Sequence, residues 1–160
     1  MSVGFGFSVG DFLAALELVG TVIDSLRSTG NSSTQYRTLI SELYTLEDAL
    51  IRVKRVDLDD SQYAERIALH QAAAQCQRTI DEFMKKVTYY QPHLRTGGSG
   101  NKIKDAWMKI KWATCRKKDV DEFKAELRGH RGSIELLLLT LQMYDPHEEH
   151  LRTCISRLGY

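Results

Sequence analysis

The sequence opens with MSVGFGFSVGDFLAALELVGTVI, residues 1–23, and this stretch decides the fold. It contains no basic residue and only two acids, Asp11 and Glu17. From Val9 to Arg27 the apolar residues repeat with a helical period and cover more than half of the helix circumference. A helix on the surface of a globular protein has a narrower apolar stripe, so this one must be surrounded by other helices or by lipid.

The same stretch is long enough to be considered as a membrane span. A helix from Val3 to Ile23 would be as long as the hydrocarbon core of a bilayer is thick, about 30 Å. Asp11 would then lie near the bilayer centre, at a cost of about 2–3 kcal/mol. A permanent span is therefore not expected. Two interpretations stay open: a segment that is buried in a bundle and inserts only after oligomerisation, and a helix that is simply core.

Three further long helices are indicated by apolar residues that repeat every 3.6 positions. They cover approximately residues 33–55, 62–90 and 119–144, and a short basic helix is expected over residues 102–115. No stretch of useful length alternates with the period of two that is typical of strands. The sequence therefore predicts an all-α fold, an antiparallel four-helix bundle with an extra short basic helix before the last long helix.

We expect two parts along the chain. Residues 1–143 form the helical bundle domain with its apolar N-terminal leader. Residues 144–160 form a short amphipathic C-terminal extension, with Leu151, Ile155 and Leu158 on one face. Because this extension is so short, we expect it to lead into further domains.

Composition and termini favour a cytoplasmic protein. The formal net charge is only +1, which argues against a general nucleic-acid binder. The three cysteines have no CxxC spacing and are expected to be reduced thiols. No secretory signal precedes the first helix, and Ser2 stands where N-myristoylation requires glycine.

The charge is concentrated in one place, which we call the basic segment, residues 102–118. It carries seven basic side chains against one acid, so it is about +6 and the remainder of the chain about −5. In a continuous helix over residues 102–115, Trp107 and Trp112 would point in opposite directions, so one core face could not bury both. The candidates for docking on anionic membrane lipid are Lys102, Lys104, Trp107, Lys109, Lys111, Trp112, Arg116, Lys117 and Lys118.

Other interpretations of the basic segment stay open. Trp112 could make a second contact inside the domain, with lysine stems around it. Lysine and tryptophan together also suit phosphate binding and base stacking, although the balanced net charge disfavours nucleic acid.

No motif indicates catalysis, a cofactor or a metal. The Gly97–Gly100 loop lacks the spacing and the hydroxyl residue of a P-loop, and a helix rather than a strand precedes it, so a flexible linker is expected. His147 and His150 are three residues apart rather than four, which does not match the zinc motif H-E-x-x-H. His70 is expected to be a hydrogen-bonded core residue. We therefore expect a non-enzymatic protein.

Two stretches carry a family resemblance: SVGFGFSVGDF, residues 2–12, and YRTLISEL, residues 36–43. Over roughly residues 1–143 the chain resembles fungal HeLo-like N-terminal helical domains, which are often found ahead of NLR-like, ankyrin or ubiquitin-like modules. That group is similar to the four-helix domain of mixed-lineage kinase-like pseudokinases and to RPW8-type cell-death domains.

The resemblance implies a cell-death execution domain of a fungal immunity or incompatibility protein. An upstream NLR-like or amyloid-signalling partner would oligomerise it, and self-association would expose the N-terminal segment at the plasma membrane. The candidates for membrane insertion are Val3, Phe5, Phe7, Phe12, Leu13, Leu16, Val19 and Ile23. The alternative is a non-lytic helical protein–protein interaction module at the N-terminus of a modular, NLR-like signalling protein.

Overall fold

A computed structural model describes residues 9–30, 33–56, 58, 60–95 and 102–143. Within these ranges every regular element is a helix, so the predicted all-α class is confirmed. Short 3-10 turns lie at Asp60–Gln62, Pro92–Arg95 and Trp112–Thr114. The α-helices are α1 (Val9–Ser28), α2 (Thr34–Arg55), α3 (Tyr63–Tyr90), α4 (Lys102–Met108) and α5 (Lys117–Met143).

Local signals explain where α1 ends and α2 begins. Gly30 follows α1 with a φ of 60°, the left-handed conformation that glycine adopts without steric cost. Ser33 has an extended backbone, and its carbonyl accepts hydrogen bonds from the N–H groups of Tyr36 and Arg37. It therefore occupies the N-cap of α2.

The four long helices pack in a closed ring. α1 contacts α2 and α3, and α5 contacts the same two helices, while α4 packs on α1. Each long helix therefore turns apolar side chains toward the ring centre, and these form one continuous core.

Contacts between helices show their relative directions. The Thr79 hydroxyl lies 2.8 Å from His130 Nε2, and Lys86 Nζ lies 3.2 Å from Glu122, so α3 and α5 run in opposite directions. α2 and α5 are joined by a polar network. The Arg128 guanidinium bonds Glu42 at 2.7 and 3.0 Å, and Arg131 lies 3.8 Å from the same carboxylate and 3.4 Å from the Thr45 hydroxyl.

The first helix, α1, belongs to the hydrophobic core. Glu17 and Asp24 form its exposed strip, and Leu13 is 39% exposed. The opposite side is covered by α2, α3 and α4. Its buried apolar residues are Phe12, Ala15, Leu18, Val19, Val22, Ile23 and Leu26. In this structure the wide apolar arc of α1 is therefore covered by partner helices.

Among the described helices, none is both long enough and apolar enough to cross a bilayer.

The first half of α3 buries small side chains. Tyr63 is 61% exposed, while Leu69, Ala72 and Ala73 are buried. His70 is half-buried and meets the ring of Phe12 edge-on at 6.4 Å, so it contributes to the contact of α3 with α1.

Deleting residues 1–23 should prevent the remaining chain from folding. The deletion removes six of the seven buried apolar residues of α1, and each large one contributes about 1.5–3 kcal/mol. This loss exceeds the usual stability margin of a domain. Near-ultraviolet circular dichroism and urea titration measure whether the shortened chain still folds cooperatively. A matched deletion of residues 1–8 should stay folded, and cooperative unfolding of the longer deletion would contradict the prediction.

Candidate functional site

The basic segment exposes its cations along its length but is not one helix. α4 ends at Met108, and residues 109–111 are irregular before the turn at Trp112–Thr114. The prediction of a single helix over residues 102–115 was therefore wrong in its second half. All seven basic side chains are exposed: Lys102, Lys104, Lys109, Lys111, Arg116, Lys117 and Lys118.

Two side chains that follow α3 cause this break. Gln91 is 4% exposed, and its side chain bonds both backbone groups of Lys111. Its amide Nε2 donates to the Lys111 carbonyl at 3.1 Å, and its Oε1 accepts from the Lys111 N–H at 2.9 Å. His93 Nε2 lies 3.1 Å from the Lys109 carbonyl. These side chains pair backbone groups that an α-helix would pair internally, so the Lys109 carbonyl and both backbone groups of Lys111 have partners where the helix ends.

The break lets both tryptophans enter the core. Trp107 is 1% exposed and Trp112 is fully buried, and their rings stack with centroids 6.2 Å apart. Both also stack on Phe83 of α3, and Phe83 stacks on Phe123 of α5 at 4.3 Å. The inference that one core face could not bury both tryptophans is therefore corrected: it holds for a continuous helix, and this helix stops between them.

Buried polar groups hold the aromatic cluster in place. The Trp112 indole N–H donates to the Ser25 hydroxyl at 2.9 Å, and that hydroxyl in turn donates to the Trp107 carbonyl. The Tyr36 hydroxyl donates to the Trp112 carbonyl, and the two rings meet edge-on at 6.0 Å. Burial raises the pKa of Tyr36, so the phenol stays protonated and keeps donating at neutral pH.

The positions of these side chains decide which of them can contact a lipid headgroup. Trp107 and Trp112 lie inside the folded domain and cannot reach a headgroup in this conformation, whereas the lysine and arginine side chains can. Two other apolar side chains of α4 are exposed, Ile103 at 61% and Met108 at 41%. Lys104 and Met108 are four residues apart and therefore share one helix face.

Part of the positive charge is neutralised where α5 begins. Lys117 pairs with Asp121 at 2.6 Å and Lys118 with Glu122 at 3.6 Å. The hydrogen bond from Lys117 lowers the pKa of Asp121. The Arg116 guanidinium lies over the Tyr90 ring, 4.7 Å from its centroid. These ion pairs therefore reduce the positive charge at the end of the segment that begins α5.

The thiol within the basic segment, Cys115, is not activated. Burial is the main cause that raises the pKa of Cys115 to about 11, even though basic residues flank it in the sequence. Burial likewise raises the pKa of Cys76 to about 12. Both are thiols at neutral pH, which is the unreactive form of cysteine.

The candidates for membrane insertion fall into three groups. Val3, Phe5 and Phe7 lie outside the described residues. Phe12, Val19 and Ile23 are buried in the core. Leu13 is exposed and Leu16 half-buried.

The Gly97–Gly100 loop, the His147 and His150 pair, Cys154 and the C-terminal extension lie outside the described residues. Within the described ranges, no group of three or more histidine, cysteine, aspartate or glutamate side chains is placed to hold a metal ion.

Three residues of this site were missed by the sequence analysis: Ser25, Tyr36 in its hydrogen-bonding role, and Gln91. Ser25 stands on the apolar face of α1, where a polar residue needs a buried partner. Gln91 directly precedes Pro92, at the end of a helix, where side chains commonly bond nearby backbone. These were the available signals, but neither identifies the partner, which lies 20 residues away for Gln91 and 82 and 87 residues away for Ser25.

Replacing Ser25 with alanine should lower the free energy of unfolding by about 1–3 kcal/mol, because the buried indole N–H of Trp112 loses its acceptor. Urea titration followed by tryptophan fluorescence measures this. Ser28→Ala is the matched control, since Ser28 is exposed and bonds only a carbonyl of its own helix. Equal stabilities of the two variants would contradict the assigned role of Ser25.

Comparison with known proteins gives one match. The chain matches the family described as pigment biosynthesis cluster protein PigL N-terminal, over residues 9–153. No curated protein and no solved structure matches the chain. The matched region begins with α1 and runs through the end of α5, so it covers the ring of helices and the basic segment. The chain therefore belongs to the PigL N-terminal family, a fungal family of helical domains.

Proposed function

We propose that this domain docks on anionic membranes through the basic segment and acts, after oligomerisation, as a membrane-targeting cell-death execution domain. The observation that carries the proposal is that seven basic side chains are exposed on a backbone anchored by two buried tryptophans. A cation near an anionic membrane surface contributes about 1 kcal/mol, so a rigid cluster binds more strongly than its members would separately. Ile103 and Met108, rather than the tryptophans, are the apolar groups that would enter the headgroup region.

The burial of α1 limits which residues can insert. Uncovering its six large buried apolar side chains would cost about 9–18 kcal/mol, comparable to or above the whole stability of a domain. The proposal therefore assigns insertion to the leader before α1, with Val3, Phe5 and Phe7. Phe12, Val19 and Ile23 keep their places in the core, so the bundle need not unfold to act.

The proposed architecture is a four-helix bundle whose long helices alternate in direction along the chain. Opposite directions for α3 and α5 and a short α1–α2 connection support it. This topology agrees with the proposed relationship to HeLo-like domains. It also leaves the basic segment on the connection between α3 and α5, where a membrane can reach it.

A second candidate function is a non-lytic helical interaction module at the N-terminus of a larger signalling protein. The observation that favours it is the position of α1, whose apolar face already has partners inside the domain. Leu136 and Leu139 of α5, 66% and 57% exposed, offer a surface for protein contacts. Under this hypothesis the leader and the lysines bind another protein rather than lipid.

Reversing two charges should separate these functions. Lys109→Glu with Lys111→Glu should weaken binding to phosphatidylserine vesicles at least tenfold, since two attractive charges become repulsive. Co-sedimentation at low salt measures this. Lys54→Glu with Lys85→Glu changes the net charge equally at exposed sites on α2 and α3, and should leave most of the binding intact. Equal losses for the two pairs would show that net charge alone matters and would remove the basic segment from the mechanism.

Membrane damage needs its own measurement. The oligomerised domain should release a dye from the same vesicles at low salt, and replacing Phe5 and Phe7 with serine should reduce the release without reducing binding. Binding without release would reject the execution function and favour the interaction module. Absence of both would reject membrane docking altogether.

A further inference from the structure

One hydrogen bond between α3 and α5 involves a histidine that lies partly inside the bundle. The Thr79 hydroxyl, in a side chain that is 8% exposed, lies 2.8 Å from Nε2 of the half-buried His130. Other threonine hydroxyls donate to the carbonyl four residues earlier in their own helix, as those of Thr38, Thr88 and Thr140 do. Thr79 instead uses its hydroxyl across the interface, so this contact depends on the protonation state of His130.

The chemistry of the pair decides where the imidazole carries its proton. A hydroxyl has one hydrogen to donate, and a buried donor needs an acceptor. Nε2 of His130 is the acceptor that the Thr79 hydroxyl meets, so the neutral ring holds its proton on Nδ1. When Nε2 is protonated it can only donate. The Thr79 hydroxyl must then turn, and its hydrogen loses the acceptor on α5.

Burial keeps the His130 ring in its neutral form against the nearby negative charge. The charged or titratable side chains on the three helices around the pair are Glu42, Cys76, Arg78, Glu82, Glu126, Arg128 and Arg131. Glu42 pairs with both arginines of α5, and Arg78 and Glu82 are exposed. Burial lowers the pKa of His130 below its ordinary value, and this effect is larger than the opposing effect of the Glu126 carboxylate.

We propose that Thr79 and His130 form a pH-sensitive latch that holds α3 against α5 at neutral pH and weakens in mild acid. Protonation of His130 removes the acceptor of a buried hydroxyl and places a positive charge in a half-buried position, and both changes destabilise the folded state. The unfolded chain takes up the same proton without these costs. The stabilisation is therefore complete above the ordinary histidine pKa of about 6.5 and is lost as the pH falls below it.

Another polar contact between α3 and α5 responds to acid in a lower pH range. Lys86 Nζ lies 3.2 Å from Glu122, and this hydrogen bond lowers the pKa of the Glu122 carboxyl. The ion pair therefore persists in mild acid, where the latch weakens. The inference goes beyond the proposed function and stands without it, because neither Thr79 nor His130 belongs to the basic segment.

Urea titration of the full chain at pH 7.5 and at pH 5.0 tests the latch. His130→Gln keeps a side-chain acceptor for the Thr79 hydroxyl but gains no proton in this range. Between the two pH values the folding equilibrium constant of the parent chain should fall at least about threefold more than that of the variant, since one hydrogen bond contributes about 0.5–1.5 kcal/mol. Equal pH dependence of the two chains would overturn the proposal.

His93→Gln is the matched control. His93 is exposed, and its Nε2 donates to the Lys109 carbonyl, which can only accept. Protonation of this ring at Nδ1 leaves that hydrogen bond in place, so the control should keep the full acid-induced loss of the parent chain. If the control lost its pH dependence as His130→Gln does, the effect would not be specific to the latch and the proposal would be overturned.

Nitrogen-15 NMR of the imidazole gives a test that does not depend on the folding of a variant. In the parent chain at neutral pH, His130 should carry its proton on Nδ1 and have an unprotonated Nε2. Its titration midpoint should be lower than that of the same residue in the urea-unfolded chain. A proton on Nε2 at neutral pH, or a midpoint at or above the unfolded value, would overturn the latch.

Discussion

The hydroxyl of Ser25 is the constraint on which the connection between α3 and α5 depends. It accepts a hydrogen bond from the indole N–H of Trp112 and donates one to the carbonyl of Trp107. Helix α1 therefore holds both tryptophans of the lysine-rich basic segment in place. Stacking on Phe83 and Phe123 adds α3 and α5 to the same contact. The Ser25 hydroxyl therefore connects α1, α3 and α5 with the basic segment. The free-energy cost of burying this hydroxyl is offset because both of its hydrogen bonds are made.

The division between buried rings and exposed cations matters for the proposed activity. Lysines on a mobile loop would lose conformational entropy when they settle on a membrane, whereas lysines on an anchored backbone have lost much of it on folding. The tryptophans thus support binding without touching the ligand. This also distinguishes the domain from interfacial helices that insert their own aromatic residues.

The sequence predicted the helices well and the basic segment only in part, for physical reasons. The long helices follow from local periodicity and from local signals such as Gly30 and Ser33, and these features are independent of distant contacts. The end of α4 is different, because it depends on Gln91 and His93, which bond backbone groups about twenty residues later. The family was predicted only as HeLo-like, and the match is to the PigL N-terminal family, because hydrophobic patterns recur among helical domains.

The long separation between Ser25 and Trp107 has a consequence for synthesis of the chain. The two residues are 82 positions apart, so at ribosomal rates of about 5–20 residues per second the most apolar helix is made roughly 4–16 s before its final partner. During that interval α2 and then α3 are synthesised, the two long helices that contact α1 in the folded domain. The short turn at Gly30 brings α2 beside α1 first, so the most apolar helix has a partner before the domain is complete.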